Sequence, residues 1–200
     1  MADALFDDAE LGGITPALER LQKLAPPPAV VPVAPPEQWQ ELEYSLGMQL
    51  PQDYKNLVSV YGFGCFAGFL YVYHPFYPWK HPQAKDDYIS WASKRMNSLT
   101  IGQQTFPKYA APFPAYPAIR GLLPWGFTDN GDALCWHTVG VSNEWPLVLI
   151  DSKDSEQYDY FSMTATEFLL DWLNQQVQPQ NFPDDIFPAE EPLFRSMNNA

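Results

Sequence analysis

The chain has 200 residues, 46% of them apolar and 16% aromatic, which is enough to bury one sizeable core without a disulfide or metal staple. Lys and Arg number 11 against 24 Asp and Glu, and the net charge of −13 repels a phosphate backbone and argues against direct nucleic-acid binding. The same charge suits either a basic partner, whose approach it would steer, or plain solubility.

Residues 3–24 carry a weak helical pattern (Leu5, Phe6, Leu11, Ile14, Leu18, Leu21) broken by Gly12-Gly13 and Pro16. Asp3, Asp7 and Asp8 take the place of a basic n-region, unlike a signal peptide, and no apolar run reaches 18 residues. A cytoplasmic protein that binds no membrane is the expectation. Six prolines between Pro26 and Pro36 predict an extended, semi-rigid spacer. The chain therefore divides into an N-terminal extension with a Pro-rich linker (1–36), a compact domain (37–177) and an acidic, Pro-rich tail (178–200), and residues 37–177 are expected to fold alone.

Trp39, Leu42 and Leu46 predict a short helix stopped by Gly47, and Pro51 opens a second helix whose Tyr54, Leu57, Val58 and Tyr61 form one apolar face. Gly62 ends it. Residues 65–73, rich in rings, read as a strand despite Gly68. After an irregular loop with His74, Pro75, Pro78, His81 and Pro82, residues 84–104 return to helical spacing through Tyr88, Trp91, Arg95 and Leu99. Three prolines from Pro112 to Pro117 force extended chain. Short strands then follow at 122–123, 133–139, 146–151 and 157–161, with Asn130-Gly131 marking a type I′ hairpin turn. Thr164 and Glu167 form a capping-box pattern ahead of Leu169, Trp172 and Leu173. Beyond Pro179, scattered Phe182, Ile186, Phe187, Leu193 and Phe194 leave two outcomes open: a disordered tail, or one that docks back through its rings. The order of strands with short connections implies an antiparallel meander.

The stretch Leu46 to Phe66, LGMQLPQDYKNLVSVYGFGCF, resembles the opening of the SUKH (Smi/Knr-type cell-wall-regulator) superfamily: a helix ending in Gly, then LP-x-D/E-[YF], a helix, Y-G-x-G and a strand. Leu122 to Trp136 (LLPWGFTDNGDALCW), Trp145 to Asp151 (WPLVLID) and Thr164 to Leu173 resemble its later strands and closing helix, in the same order. The resemblance covers residues 37–177. It implies an α+β fold with a mostly antiparallel sheet of about five to six strands and helices packed on one side. It also implies a non-enzymatic protein-binding role: many bacterial members are immunity proteins against polymorphic toxins, often nucleases, while eukaryotic relatives are regulatory interaction domains. The segment 74–117 is a long insertion relative to the family pattern and carries a local basic excess, so it is expected to shape specificity rather than stability.

Few side chains combine into chemistry. Cys65 and Cys135 sit in apolar runs without metal or redox spacing and read as buried thiols of a reducing compartment. Cys135 and His137 share a strand face with no third group to orient them. His74 and His81, with Asp86 or Asp87, match no common zinc spacing. Asp129-Asn130-Gly131-Asp132 lacks the distal Glu of a calcium loop, since Gly140 occupies that place. No catalytic, cofactor or metal residue is assigned. From Asp129 to Asp171 nine acids face one base, Lys153. Glu144, Asp151, Asp154, Glu156 and Asp159 are the candidate partner-binding residues, either as a negative face toward a basic toxin or as a solvated turn. The two functional readings are an immunity protein and a regulatory scaffold module.

Overall fold

A computed structural model describes residues 14–76, 88–105, 107, 111–154, 156–187 and 189–197. Helix α1 (Pro16–Leu24) is capped by the Thr15 side chain, which accepts from the Leu18 N–H, and it buries Leu18 and Leu21 completely. Helix α2 (Pro36–Leu46) buries Trp39 and Leu46 and ends at Gly47, whose φ of 69° a side chain would disfavour. Pro51 sits at the cap of α3 (Gln52–Tyr61), one residue before the helix, and Tyr54, Leu57, Val58 and Tyr61 are buried as their spacing predicts. The Tyr61 hydroxyl donates to the Ala25 carbonyl at 2.7 Å, so α3 holds the start of the proline spacer.

The strand expected over 65–73 is two strands, β1 (Gly64–Phe66) and β2 (Leu70–Val72). Ala67 (φ 50°) and Gly68 (φ 67°) form the centre of a turn closed by the Phe69 N–H on the Phe66 carbonyl, so Gly68 makes a hairpin rather than interrupting a strand. Helix α4 (Tyr88–Thr105) follows, then β3 (Leu122–Thr128), β4 (Ala133–His137), a 3₁₀ turn (Ser142–Glu144), β5 (Leu147–Ile150), β6 (Tyr158–Phe161), α5 (Ala165–Leu173) and β7 (Phe194–Ser196). The Asn130-Gly131 hairpin joins β3 to β4, but Gly131 alone of the pair has positive φ (90°). Its N–H bonds the Thr128 carbonyl, so the turn is not type I′. The capping box of α5 forms in both directions between Thr164 and Glu167.

The seven strands make one antiparallel sheet in the order β6-β5-β4-β3-β2-β1-β7. The class is α+β. The strand count exceeds the expected five to six because the first strand is split and the tail contributes β7. Side chains alternate across the sheet. Leu134, Trp136, Leu147 and Leu149 join the core beneath α1, α2, α3 and α5, whereas Cys135, Val148 and Ile150 meet Met96 and Leu99 of α4. Four helices thus lie on one face, and α4 covers part of the other. The segment 74–117 is accordingly structural as well: its Tyr88, Ala92, Met96 and Leu99 are buried, and Trp91 stacks on Tyr73 at 4.0 Å.

A bulge interrupts β3, where the register against β4 shifts between Pro124 and Gly126. Pro124 has no N–H to lose to the ladder, and its carbonyl accepts the Tyr88 hydroxyl at 2.7 Å. At Gly126 a Cβ would lie 2.7 Å from the Tyr71 carbonyl, so no side chain fits there. The tail docks back through its rings: Phe182 packs on Phe69 and Trp172, and the Phe194 ring fills the space over Gly64.

The segments flanking 37–177 therefore supply core, and trimming to that range should destabilise the chain rather than leave it intact. Leu21→Ala should cost about 2–5 kcal/mol, read as a lower urea midpoint; a cost below about 1 kcal/mol would show that α1 is peripheral.

Candidate functional site

The turn between β5 and β6 is held by its own carboxylates. Asp151 Oδ1 accepts from the Lys153 and Asp154 N–H groups at 2.7 Å each, and Asp154 Oδ1 accepts from the Glu156 N–H at 3.1 Å. The buried Asp132 ties this turn to the neighbouring β3–β4 turn: Oδ2 accepts the Thr128 hydroxyl at 2.7 Å and Oδ1 the Ser152 N–H at 3.0 Å. Ser152 Oγ in turn donates to the Asn130 carbonyl at 2.8 Å. The four-residue stretch that resembles a calcium loop is thus used as a cross-link between two turns.

The five candidate acids divide three ways. Asp151, Asp154 and Glu156 stand together in the turn entering β6. Glu144 lies in the 3₁₀ turn before β5, beside the opposite end of β6, and lines a cleft of about 470 Å³ with Tyr160, Ser162, Met163 and Glu167. Asp159 points to the helix side. It is only 9% exposed, its carboxylate accepts the Gln180 N–H at 3.0 Å, and burial raises its pKa above the usual carboxyl range. It anchors the tail rather than adding to a surface charge.

Between these acids stands a group of rings that sequence reasoning did not assemble. On the α4 side of the sheet, Phe113 packs edge-on against Tyr158 (5.1 Å) and His137 (4.9 Å) and lies stacked near Tyr160 (6.2 Å). Tyr158 and Tyr160 remain 36% and 47% exposed. Their i, i+2 spacing in a predicted strand is the signal that could have found them. Placing Phe113 and His137 beside them needs the β4–β5–β6 order, which spacing does not reveal.

The remaining chemistry-bearing groups are enclosed. Cys135 is fully buried and burial pushes its thiol pKa up, the reverse of what a nucleophile requires; Cys65 is raised to about 11 for the same reason. Partial burial holds His137 below the ordinary imidazole range. His74 is buried, its Nδ1 accepts the Phe76 N–H at 3.2 Å, and desolvation lowers it to about 4. His81, Asp86 and Asp87 lie outside the described residues, as do Lys80, Lys85 and Lys108 of the basic excess. Among the described residues no group of three His, Cys, Asp or Glu is placed to hold a metal ion, and no helix is long and apolar enough to cross a membrane. Asp53, raised mainly by burial, accepts the Thr166 N–H at 3.0 Å and so fastens α3 to the start of α5.

A family model described as SUKH_6, SMI1-KNR4 cell-wall, matches residues 36–169, from the first residue of α2 into α5. The chain belongs to this family. Neither a search of curated proteins nor one of solved structures finds a match. Helices α2 and α3, strands β1 to β6 and the ring group all lie within the SUKH span, while α1 and β7 lie outside it.

His74 gives this SUKH chain a measurable acid sensitivity. The folded chain keeps it neutral down to about pH 4, whereas the unfolded chain protonates it near its ordinary value of 6.5. The stability this provides is complete above about pH 6.5 and is lost as pH falls toward 4, amounting to about 2 kcal/mol between pH 7 and pH 5. The raised carboxyls of Asp53 and Asp159 work in the opposite sense, favouring the fold in acid and losing that contribution as pH rises. His74→Asn, which keeps an acceptor for the Phe76 N–H, should remove the His74 share and flatten the acid-side loss in urea unfolding at the two pH values. Parallel pH profiles for parent and variant would show that His74 titrates normally.

Proposed function

We propose that this chain is an immunity protein, one that binds and neutralises a basic bacterial toxin by protein–protein contact and performs no catalysis of its own. Membership of a superfamily that includes immunity proteins supports the reading. The observation that carries it is the partly exposed ring group of Phe113, His137, Tyr158 and Tyr160, bordered by Asp151, Asp154 and Glu156 on one side and Glu144 on the other. Rings of this kind bury large area at low entropy cost and serve as anchors, whereas the carboxylates around them, Glu144 and Glu156 exposed and Asp151 and Asp154 half-exposed, mainly raise the rate of encounter with a basic partner.

The two contributions separate experimentally. Replacing Glu144, Asp151, Asp154 and Glu156 by the corresponding amides should slow association with the co-purified partner several-fold at low salt. The difference should shrink as the screening length falls to about 8 Å at physiological salt. Tyr160→Ala should act chiefly on the dissociation rate. Stopped-flow association at two ionic strengths measures both, and an on-rate indifferent to the substitutions and to salt would sink the steering role. Co-expression that restores viability to cells producing the partner tests neutralisation itself. Several stable, non-toxic partners in a pull-down would point instead to a regulatory scaffold module.

A further inference from the structure

Strand β6 closes one edge of the sheet, and among the described residues no strand pairs with its outer side. The direction of its free main-chain groups follows from the register. The Asp151 N–H bonds the Gln157 carbonyl, which makes 151 and 157 a hydrogen-bonded pair. With Leu149 opposite Asp159 and Leu147 opposite Phe161, the alternation of an antiparallel ladder gives Gln157, Asp159 and Phe161 to β5 and turns the N–H and C=O of Tyr158 and Tyr160 outward. The two residues whose rings are exposed on the sheet face therefore also offer the open hydrogen-bonding positions of the edge. No main-chain group of the described residues bonds to them.

The ends of this edge are both acidic. Asp151, Asp154 and Glu156 sit where β6 begins, and past Tyr160 the chain leads through Ser162 into the cleft lined by Glu144 and Glu167. A strand laid along β6 would advance about 3.3 Å per residue, so a segment of some five or six residues would reach from the turn to the cleft. We infer that the partner adds an extended, basic segment of its chain to β6 as an eighth strand, with one Lys or Arg side chain seated between Glu144 and Glu167. This deepens the binding reading above and rests on it. Main-chain pairing supplies the affinity, the tyrosine rings pack on alternate residues of the incoming strand, and the carboxylates at both ends select positive charge.

The probe is a blocked heptapeptide of alternating Lys and Val, with two counterparts: the same peptide carrying Glu for Lys, and the same peptide N-methylated at alternate main-chain nitrogens. Titration by NMR and calorimetry against the full chain should show the Lys/Val peptide binding. It should slow hydrogen exchange of the Tyr158 and Tyr160 amides, while the Glu form should not bind. The N-methylated form should bind roughly five- to ten-fold more weakly for each main-chain bond it loses. Measured against Tyr160→Ala, which loses the same ring, Tyr160→Pro removes an outward donor without touching the β5 ladder and should weaken binding similarly beyond the alanine variant; should that variant unfold, the N-methylated peptide on the unaltered chain carries the same test. Equal binding of methylated and unmethylated peptides, or no protection of the two amides, would overturn strand addition in favour of charge attraction alone. A dimer in sedimentation that protects the same amides without peptide would overturn it in favour of a second copy. Toxin neutralisation that persists in a folded Tyr160→Pro chain would remove this inference and leave the immunity reading standing. Failure of co-expression rescue with intact peptide binding would do the converse.

Discussion

One extra residue in the central strand decides what each face of this sheet presents. A regular β3 would send residues 123, 125 and 127 to the same side. The bulge at Trp125 lets Leu123 and Trp125 enter the helix-side core, then returns Phe127 to the opposite face, where it stacks on Tyr71 at 5.0 Å beneath the guanidinium of Arg95. Pro124 and Gly126 make the irregularity inexpensive: the first has no donor to strand, the second no side chain to press on the Tyr71 carbonyl. Tyr88 on α4 then satisfies the Pro124 carbonyl. The same residue that seats α4 on the second face thus caps the defect that made that face aromatic.

From this parity the outer strands inherit their own. With Cys135 and His137 on the α4 side, the β4–β5 register places Val148 and Ile150 there, and the β5–β6 register adds Tyr158 and Tyr160. Helix α4 covers Cys135, Val148 and Ile150 but leaves Tyr158 and Tyr160 part open, with Phe113 of the proline-rich stretch packed among them. The opposite face is completed by segments outside the family span. Helix α1 packs on α5, and Phe194 fills a gap that only a glycine at position 64 leaves free.

Local rules carried well wherever a single element settles its own conformation. The apolar face of α3, the glycine stop of α2 and the capping box of α5 are each determined within about one or two turns of chain, and each is present as its residues predict. The motifs that mark the family are local in the same way, each within a short stretch such as Leu46–Phe66. Most of what could not be read depends on distant chain. The split of residues 64–72 into a hairpin turns on the positive φ of Ala67 and Gly68, which the ring-rich run conceals, and the core role of α4 needs a sheet face to cover. The inward turn of Asp159 follows from a strand register that composition does not encode. Asp159 lies close in sequence to Asp151, Asp154 and Glu156, yet period-2 alternation and the Gln180 amide draw it to the other side. The rings of the candidate surface come from three separate segments, so only the folded sheet assembles them.

An open sheet edge is also a hazard, because any copy of the same chain offers a matching one. Two copies meeting edge to edge about a two-fold axis would run their β6 strands antiparallel, bringing the Asp151–Glu156 turn of each against the Glu144 and Glu167 end of the other. Like charges would face each other at both ends of the seam, on molecules that each carry −13 overall. The acidic flanks therefore disfavour the pairing of β6 with the β6 of a second copy while leaving a basic strand free to add there, and they allow β6 to do without the prolines and lysines that blunt such edges elsewhere.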